Sequence, residues 1–230
     1  MQDPGCRLLT LVGPGGSGKT RLALEAAADL LSASQIGSFD HGVYLVSLAP
    51  LQSADDILPA IAQTLGFSFY EGSEPQDQLL DYLRQKSMLL IMDNFEHLLD
   101  GVGIVADILK AAPDIKTLVT SRVRLNVQGE HLFPVAGMNF PTPKTSAARL
   151  PLEHGRGKTE EVTQFDAIKL LLQGARRTRP GFEPTTGELQ DIAQICQLVQ
   201  GMPLGILLAA AWMGTLTPAP APIGEETAGC

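Results

Sequence analysis

Short apolar runs alternate with amphipathic segments through the first half of the chain. The runs are rich in branched aliphatic residues and predict buried strands at residues 8–12, 41–49, 87–93, 116–122 and 130–135. Apolar residues between them recur on one helix face, which predicts helices at residues 19–31, 53–65, 75–85 and 95–112. Because strands and helices alternate, we predict an α/β fold: a five-stranded parallel sheet between two layers of helices. We expect the fourth strand to lie between the first and the third.

The second half of the chain has a different pattern. From about residue 139 it carries Pro, Thr, Gly and mixed charge without periodicity, and helical spacing then returns, with a Thr185–Glu188 capping box and no strand signal. We therefore predict a small all-α subdomain after the sheet domain. The predicted organisation is a sheet domain at 1–138, a linker at 139–160, a helical subdomain at 161–216 and a disordered Pro/Ala-rich tail at 217–230.

Composition restricts the classes of function. The net charge of -8 disfavours broad, non-specific nucleic-acid binding, which requires many Lys and Arg side chains. The three cysteines, Cys6, Cys196 and Cys230, are scattered, which favours a reducing compartment and no structural zinc. No secretory signal is evident, and the longest apolar run, 204–213, is too short to span a bilayer. We therefore expect a cytoplasmic protein without a membrane partner.

A glycine-rich turn between the first strand and the first helix fits the P-loop pattern G-x4-G-K-[ST], or Walker A motif. Glycines allow backbone N–H groups to surround phosphates, and the following helix directs its positive end at the same anion. Lys19 is expected to reach the β- and γ-phosphates, and the Thr20 hydroxyl to bind Mg²⁺. The predicted nucleotide-binding residues of this segment are Gly13, Pro14, Gly15, Gly16, Ser17, Gly18, Lys19, Thr20 and Arg21.

A second candidate is the acid that ends the third strand. Asp93 follows the apolar run "LLIM" and is the predicted Walker B carboxylate for Mg²⁺, and the alternative is that it only caps the next helix. The next residue is Asn94 rather than an acid, so Glu96 is the nearest carboxylate that could position the attacking water, or it could be a solvated first-turn charge. His97 has no evident partner in the sequence and is expected to be structural.

The fourth strand ends at an arginine that could sense a terminal phosphate. Arg122 follows "TLVTS", and a guanidinium there could bind phosphate in a bidentate manner and distinguish ATP from ADP. Arg124 is a competing candidate, and a strand-end arginine can also be a plain surface charge.

Four segments together resemble a known class: "GPGGSGKTRLALEAA", "LLIMDNFEHLLD", "TLVTSRVRLNVQGEHLFPV" and "GMPLGILLAAAW". In this order they resemble the signal-transduction ATPases with numerous domains (STAND), which include the NB-ARC switches. The resemblance is closest to the predicted ATPase modules of bacterial LuxR-type and antibiotic-regulatory (SARP-type) transcription factors, and it covers residues 8–216. It implies an ASCE-type P-loop NTPase fold, ATP or ADP with Mg²⁺, Asp93 as the Walker B acid and Arg122 as the sensor.

The resemblance also implies a role for the "GMPL" segment. Met202 and Pro203 would lie over the adenine, with Pro203 the favoured contact, in a helical subdomain that closes on the nucleotide. The residues alone predict only a helix end at Gly201 followed by a helix start. Relatives continue into winged-helix and sensor domains that are not found in this chain, so we expect a domain of a longer regulator, without direct DNA binding.

Three functions remain open from the sequence. The first is a nucleotide switch with slow ATP hydrolysis and possible nucleotide-dependent self-association. The second is a nucleotide-gated scaffold without hydrolysis, which Asn94 favours. The third is a P-loop small-molecule kinase, with the basic segment at 175–180 as its lid. A GTPase is disfavoured because the chain has no N-K-x-D motif.

Overall fold

A computed structural model of the protein describes residues 3, 5–32, 39–142 and 162–213. The chain consists of two compact units that divide between residues 136 and 137. Most of the predicted linker and the whole predicted tail lie outside the described residues. The domain boundaries drawn from the sequence therefore stay predictions.

Five parallel strands form the sheet of the first unit, in the order β2-β3-β4-β1-β5. This confirms the predicted α/β fold and the place of β4 between β1 and β3. Each strand lies within the apolar run that predicted it or differs from it by one residue. The strands are β1 (Leu8–Val12), β2 (Val43–Ser47), β3 (Met88–Asp93), β4 (Ile115–Ser121) and β5 (Glu130–Pro134).

The helices of this unit pack on both faces of the sheet. On β3, Leu89 and Ile91 contact the α1 face, whereas the alternate residues face the other helices. This two-sided burial explains why the strand is an unbroken apolar run rather than an alternating one. The helices are α1 (Lys19–Ser32), α2 (Ile57–Leu65), α3 (Pro75–Arg84) and α4 (Gly103–Ala111).

The predicted helix at 95–112 is wrong in its first half. Two 3₁₀ turns, Phe95–His97 and Leu99–Gly101, precede α4. Asn94 has a left-handed backbone with φ 69 before the first turn. Leu98 lies between the two turns with φ -122 and ψ 31, which is not helical, so one continuous helix cannot run through this position. A similar difference occurs before α2, where the capping box of Ser53 and Asp56 begins a 3₁₀ turn.

The second unit is helical in its described part. Its helices are α5 (Asp166–Thr178), α6 (Thr186–Leu198) and α7 (Pro203–Trp212). The predicted capping box is present, since the Thr185 side chain accepts from the Glu188 N–H and the Glu188 carboxylate accepts from the Thr185 N–H. At the start of α5, the Asn139 side chain accepts from the Asp166 N–H at 2.9 Å. No described helix has the length and apolar character to cross a bilayer.

Candidate nucleotide-binding site

The glycine-rich loop leaves β1 at the carboxyl end of the sheet and is anchored on both sides. The Gly13 N–H donates to the Ser121 carbonyl at 3.3 Å, and the Val135 N–H donates to the Val12 carbonyl at 2.7 Å. A side-chain carbon at Gly13 would collide with the Val135 carbonyl. The backbone of this loop is therefore held by the neighbouring strands, as a preformed anion cradle requires.

Lys19, the first residue of α1, lies inside this loop. Its side chain is 8% exposed, and its Nζ donates to the carbonyls of Gly13 at 2.9 Å and Pro14 at 3.0 Å. Burial lowers the pKa of Lys19, Glu96 opposes this shift, and Arg122 adds to it. Ser17 Oγ is buried close by in the chain and has no partner in the described structure. A buried cation and an unsatisfied hydroxyl in one loop suit a phosphate ligand.

Asp93 ends β3 at the same edge of the sheet. Its Oδ1 accepts from the Thr20 hydroxyl at 2.7 Å and from the Thr120 hydroxyl at 2.6 Å. The structure thus brings together Thr20 and Asp93, the two predicted Mg²⁺ ligands. A hydroxyl and a carboxylate are hard oxygen donors, and Mg²⁺ is commonly held by one or two such groups together with substrate phosphates. Within the described ranges no cluster of three or more His, Cys, Asp or Glu residues forms an alternative metal site.

Glu96 and Arg122 form an ion pair beside the loop. Arg122 Nε lies 3.0 Å from Glu96 Oε1, and the arginine side chain is 63% exposed while the glutamate is 15% exposed. Glu96 Oε2 is buried and has no partner in the described parts of the chain. A carbon built on Gly15 would lie 3.4 Å from Arg122 Nη2, so the guanidinium is adjacent to the P-loop.

Arg124 does not share this position. It is exposed in the loop after β4, and it makes no hydrogen bond or ion pair within the described ranges. Of the two sensor candidates, Arg122 is the one adjacent to the loop that would hold the phosphates.

Asn94 and His97 bond to one another rather than to the loop. Asn94 Nδ2 is 3.3 Å from His97 Nδ1, and His97 Nε2 is 3.1 Å from the Leu51 carbonyl. Because a carbonyl only accepts, Nε2 carries the proton and Nδ1 accepts from the Asn94 amide. Both ring nitrogens are thereby used, which agrees with the expected structural role of His97.

Two predicted contact residues stay predictions. Arg21 is exposed in the first turn of α1. Pro203 begins α7 in the second unit, directly after Met202. The sequence analysis gave no role to Thr120. It did predict that β4 lies next to β3, and this adjacency would have placed Thr120, near the end of β4, beside Asp93 at the end of β3.

A family model and several curated proteins match the sequence of the chain. The family model for an AAA domain matches residues 2–136. A protein of Mycobacterium tuberculosis strain H37Rv, provisionally named an HTH-type transcriptional regulator, is 32% identical over 213 residues, which are 92% of this chain and 21% of that protein. An uncharacterised protein of the same strain is 30% identical over 213 residues, 92% of this chain and 47% of its own length. The chain thus spans about a fifth of the length of the first relative and about half of the length of the second.

Two archaeal proteins of known structure give partial matches to the chain. A STAND protein with a tetratricopeptide repeat sensor from Pyrococcus horikoshii is 15% identical, with a TM-score of 0.47 over 85% of this chain and 26% of that one. Cdc6p from Pyrobaculum aerophilum is 16% identical, with a TM-score of 0.45 over 83% of this chain and 54% of that one.

The resemblance drawn from the sequence, to P-loop ATPase modules found in transcriptional regulators, is confirmed by the family model and the mycobacterial relatives. The matched residues cover more than half of the chain and contain the P-loop, Asp93, Glu96 and Arg122. The chain belongs to the AAA domain family.

Proposed function

We propose that this chain is the ATP-binding, slowly hydrolysing switch module of a bacterial transcriptional regulator. The observation that carries the proposal is the hydrogen bond between Thr20 and Asp93, which joins the P-loop to the end of β3. That contact places a hydroxyl and a carboxylate at one point next to the phosphate-binding loop, where Mg²⁺ bound to a nucleotide requires them. When bound, Mg²⁺ would neutralise phosphate charge.

Nucleotide binding would exchange partners within the loop. Lys19 now donates to two loop carbonyls, and phosphate oxygens would replace them as stronger acceptors. Ser17 Oγ, unpartnered in the described structure, would gain a partner in the same step. These exchanges favour an anionic ligand over a neutral one, because the buried ammonium has no carboxylate in direct contact within the described ranges.

Hydrolysis would use Glu96. In this proposal the carboxylate orients a water and takes its proton, while the water oxygen bonds to the γ-phosphorus and the bond to the β–γ bridging oxygen breaks, leaving ADP and phosphate. Glu96 is engaged by Arg122, and Asn94 rather than an acid follows Asp93. Both features support slow turnover.

The switch would depend on Arg122. Its guanidinium can bond either to Glu96, as observed, or to a terminal phosphate held in the adjacent P-loop. Only ATP would offer that phosphate, so ATP and ADP would stabilise different arrangements of Arg122 and Glu96. Self-association that depends on the nucleotide belongs to the same proposal.

A second candidate is a scaffold that binds nucleotide without hydrolysis. The side chain of Asn94 is directed to His97, and the Glu96 carboxylate is held by Arg122. This arrangement would suit a site that retains ATP as a signal.

The test is calorimetric titration of ATP and of ADP, each with Mg²⁺, with phosphate release measured in parallel. The variants are Lys19→Ala, Asp93→Asn and Arg122→Ala. Lys110→Ala is the matched control for the lysine, because Lys110 is an exposed residue of α4. Arg124→Ala is compared with Arg122→Ala.

We expect Lys19→Ala to weaken binding of both nucleotides at least about tenfold, since it removes a charge-assisted bond. Arg122→Ala should weaken ATP more than ADP, whereas Arg124→Ala and Lys110→Ala should match the native chain. Turnover that is slow and lost in Asp93→Asn supports the ATPase switch. Binding without any phosphate release supports the scaffold, and equal binding by Lys19→Ala and native protein rejects both.

A further inference from the structure

Thr120 lies where β4 ends beside Asp93 and takes no part in the nucleotide-binding roles described above. It is one residue beyond the register pair Met92–Val119, and its side chain is 1% exposed. Its Oγ1 makes two hydrogen bonds, to Asp93 Oδ1 at 2.6 Å and to the Asn94 N–H at 2.9 Å.

The direction of both bonds is fixed by chemistry. A backbone N–H can only donate, so the Thr120 oxygen accepts from Asn94. The single hydroxyl proton of Thr120 is therefore free to go to Asp93, whose ionised carboxylate can only accept. The Thr120 hydroxyl thus accepts one hydrogen bond and donates the other, and in a buried site it cannot rotate without losing one of them. It therefore holds the Asp93 carboxylate in one orientation.

The consequence for Asp93 concerns its two oxygens. Oδ1 accepts from both Thr20 and Thr120. Oδ2 accepts no hydrogen bond within the described ranges and is the oxygen left for a cation or for a water bound to one. The bond from Thr20 to Oδ1 uses the proton of that hydroxyl and leaves its lone pairs for the same cation.

We infer that Thr120 is a positioning residue for the Mg²⁺ site: it fixes the orientation of the Asp93 carboxylate and so keeps Oδ2 available to a cation. Through the Asn94 N–H it also holds the left-handed backbone at which the chain leaves β3 toward Glu96. The inference rests on the proposed function, because it assigns a role at the cation site proposed there.

The test compares the hydroxyl with its isostere. Thr120→Val removes both hydrogen bonds at nearly constant volume, and Thr120→Ser retains the hydroxyl. Thr117→Val is the matched control: Thr117 is on the same strand and fully buried, but its Oγ1 has no partner in the described structure. The readouts are the Mg²⁺ concentration that half-saturates the enhancement of ATP binding, ATP affinity in EDTA, and the circular dichroism melting curve.

We expect Thr120→Val to raise the half-saturating Mg²⁺ concentration roughly 10- to 100-fold, as loss of the partner of a metal ligand does. ATP affinity in EDTA should change less than about twofold, since the P-loop is intact. Thr120→Ser should be close to native, and Thr117→Val indistinguishable from it. In an Asp93→Asn background Thr120→Val should have no further effect on Mg²⁺ dependence, because it acts through Asp93.

The outcomes separate the inference from the proposed function. A native chain whose ATP binding ignores Mg²⁺ overturns the cation site and this inference with it. If ATP binding by the native chain depends on Mg²⁺, and Thr120→Val has the same half-saturating Mg²⁺ concentration as the native chain, the inference alone is overturned. If Thr120→Val does not fold, Thr120→Cys replaces it, because a thiol is similar in size and only a weak donor, and the same rise in Mg²⁺ requirement is expected.

Discussion

Arg122 Nε lies 3.0 Å from Glu96 Oε1, and this pairing is the main electrostatic relationship beside the P-loop. The arginine is largely exposed, so the pair contributes only about 1 kcal/mol or less to stability. A multivalent phosphate in the adjacent loop is a stronger partner for the guanidinium than a single carboxylate. The contact can therefore be exchanged on binding at small cost, and it gives a direct prediction.

Glu96→Gln should tighten ATP binding and slow turnover. The substitution removes a negative charge near the phosphates and releases Arg122, so we expect a several-fold lower Kd for ATP. Loss of the proposed base should lower turnover roughly 10²-fold or more. Both quantities are measured by titration and phosphate release, with Glu71→Gln, an exposed carboxylate, as the control. Unchanged turnover in Glu96→Gln would exclude Glu96 as the base.

Gly13→Ala should disrupt the P-loop. A methyl group there would collide with the Val135 carbonyl, and backbone cannot move aside as a flexible side chain can. We expect a loss of stability of about 1–3 kcal/mol and loss of nucleotide binding. Gly103→Ala is the matched control, because a methyl group at Gly103 meets nothing within 4 Å. Urea unfolding compares the two, and equal stabilities would contradict the close packing at Gly13.

His97→Ala should affect stability rather than catalysis. It removes the bonds to Asn94 and to the Leu51 carbonyl, and because His97 is exposed we expect a cost of about 1 kcal/mol or less in the free energy of unfolding. Turnover of the folded variant should stay within a few-fold of native. His131→Ala is the control, since His131 is exposed like His97 but bonds only to the carbonyl of Gly129, two residues away, within the described structure. A large loss of turnover without loss of stability would instead assign His97 to the chemistry.

Cys196 should be unreactive in the native protein. It is fully buried, and burial raises the pKa of its thiol to about 11. At pH 8 its thiolate fraction is on the order of 0.1%, so alkylation by iodoacetamide should be slow until urea is added. Mass spectrometry of the Cys196 peptide measures this, and equal rates with and without urea would show that the second unit opens freely.

The same shift affects stability at high pH. The folded state keeps a proton that the unfolded thiol releases near its ordinary pKa of 9.0. The contribution of this thiol to stability is therefore present below pH 9.0 and is lost as the pH rises through about 11.

The sequence by itself determined the elements and the phosphate loop. The unbroken apolar run of β3 shows that this strand is covered on both faces, and the spacing from Gly13 to Thr20 specifies a loop between a strand and a helix. Both signals are local: they depend on residues within a few positions of one another, where periodicity and backbone preference act directly. The predicted continuous helix at 95–112 was wrong because apolar spacing does not show the non-helical backbone of Leu98.

Tertiary structure decided which side chains meet at the edge of the sheet. Thr120 and Asp93 are 27 positions apart, and Thr20 and Asp93 are 73 apart. Neighbouring strand ends bring such residues near one another, but the choice of partner depends on rotamers and on the satisfaction of buried polar groups. No pattern in the sequence shows that Glu96 holds Arg122, or that Thr120 holds Asp93, because each bond is selected by the competing donors and acceptors that folding places around it.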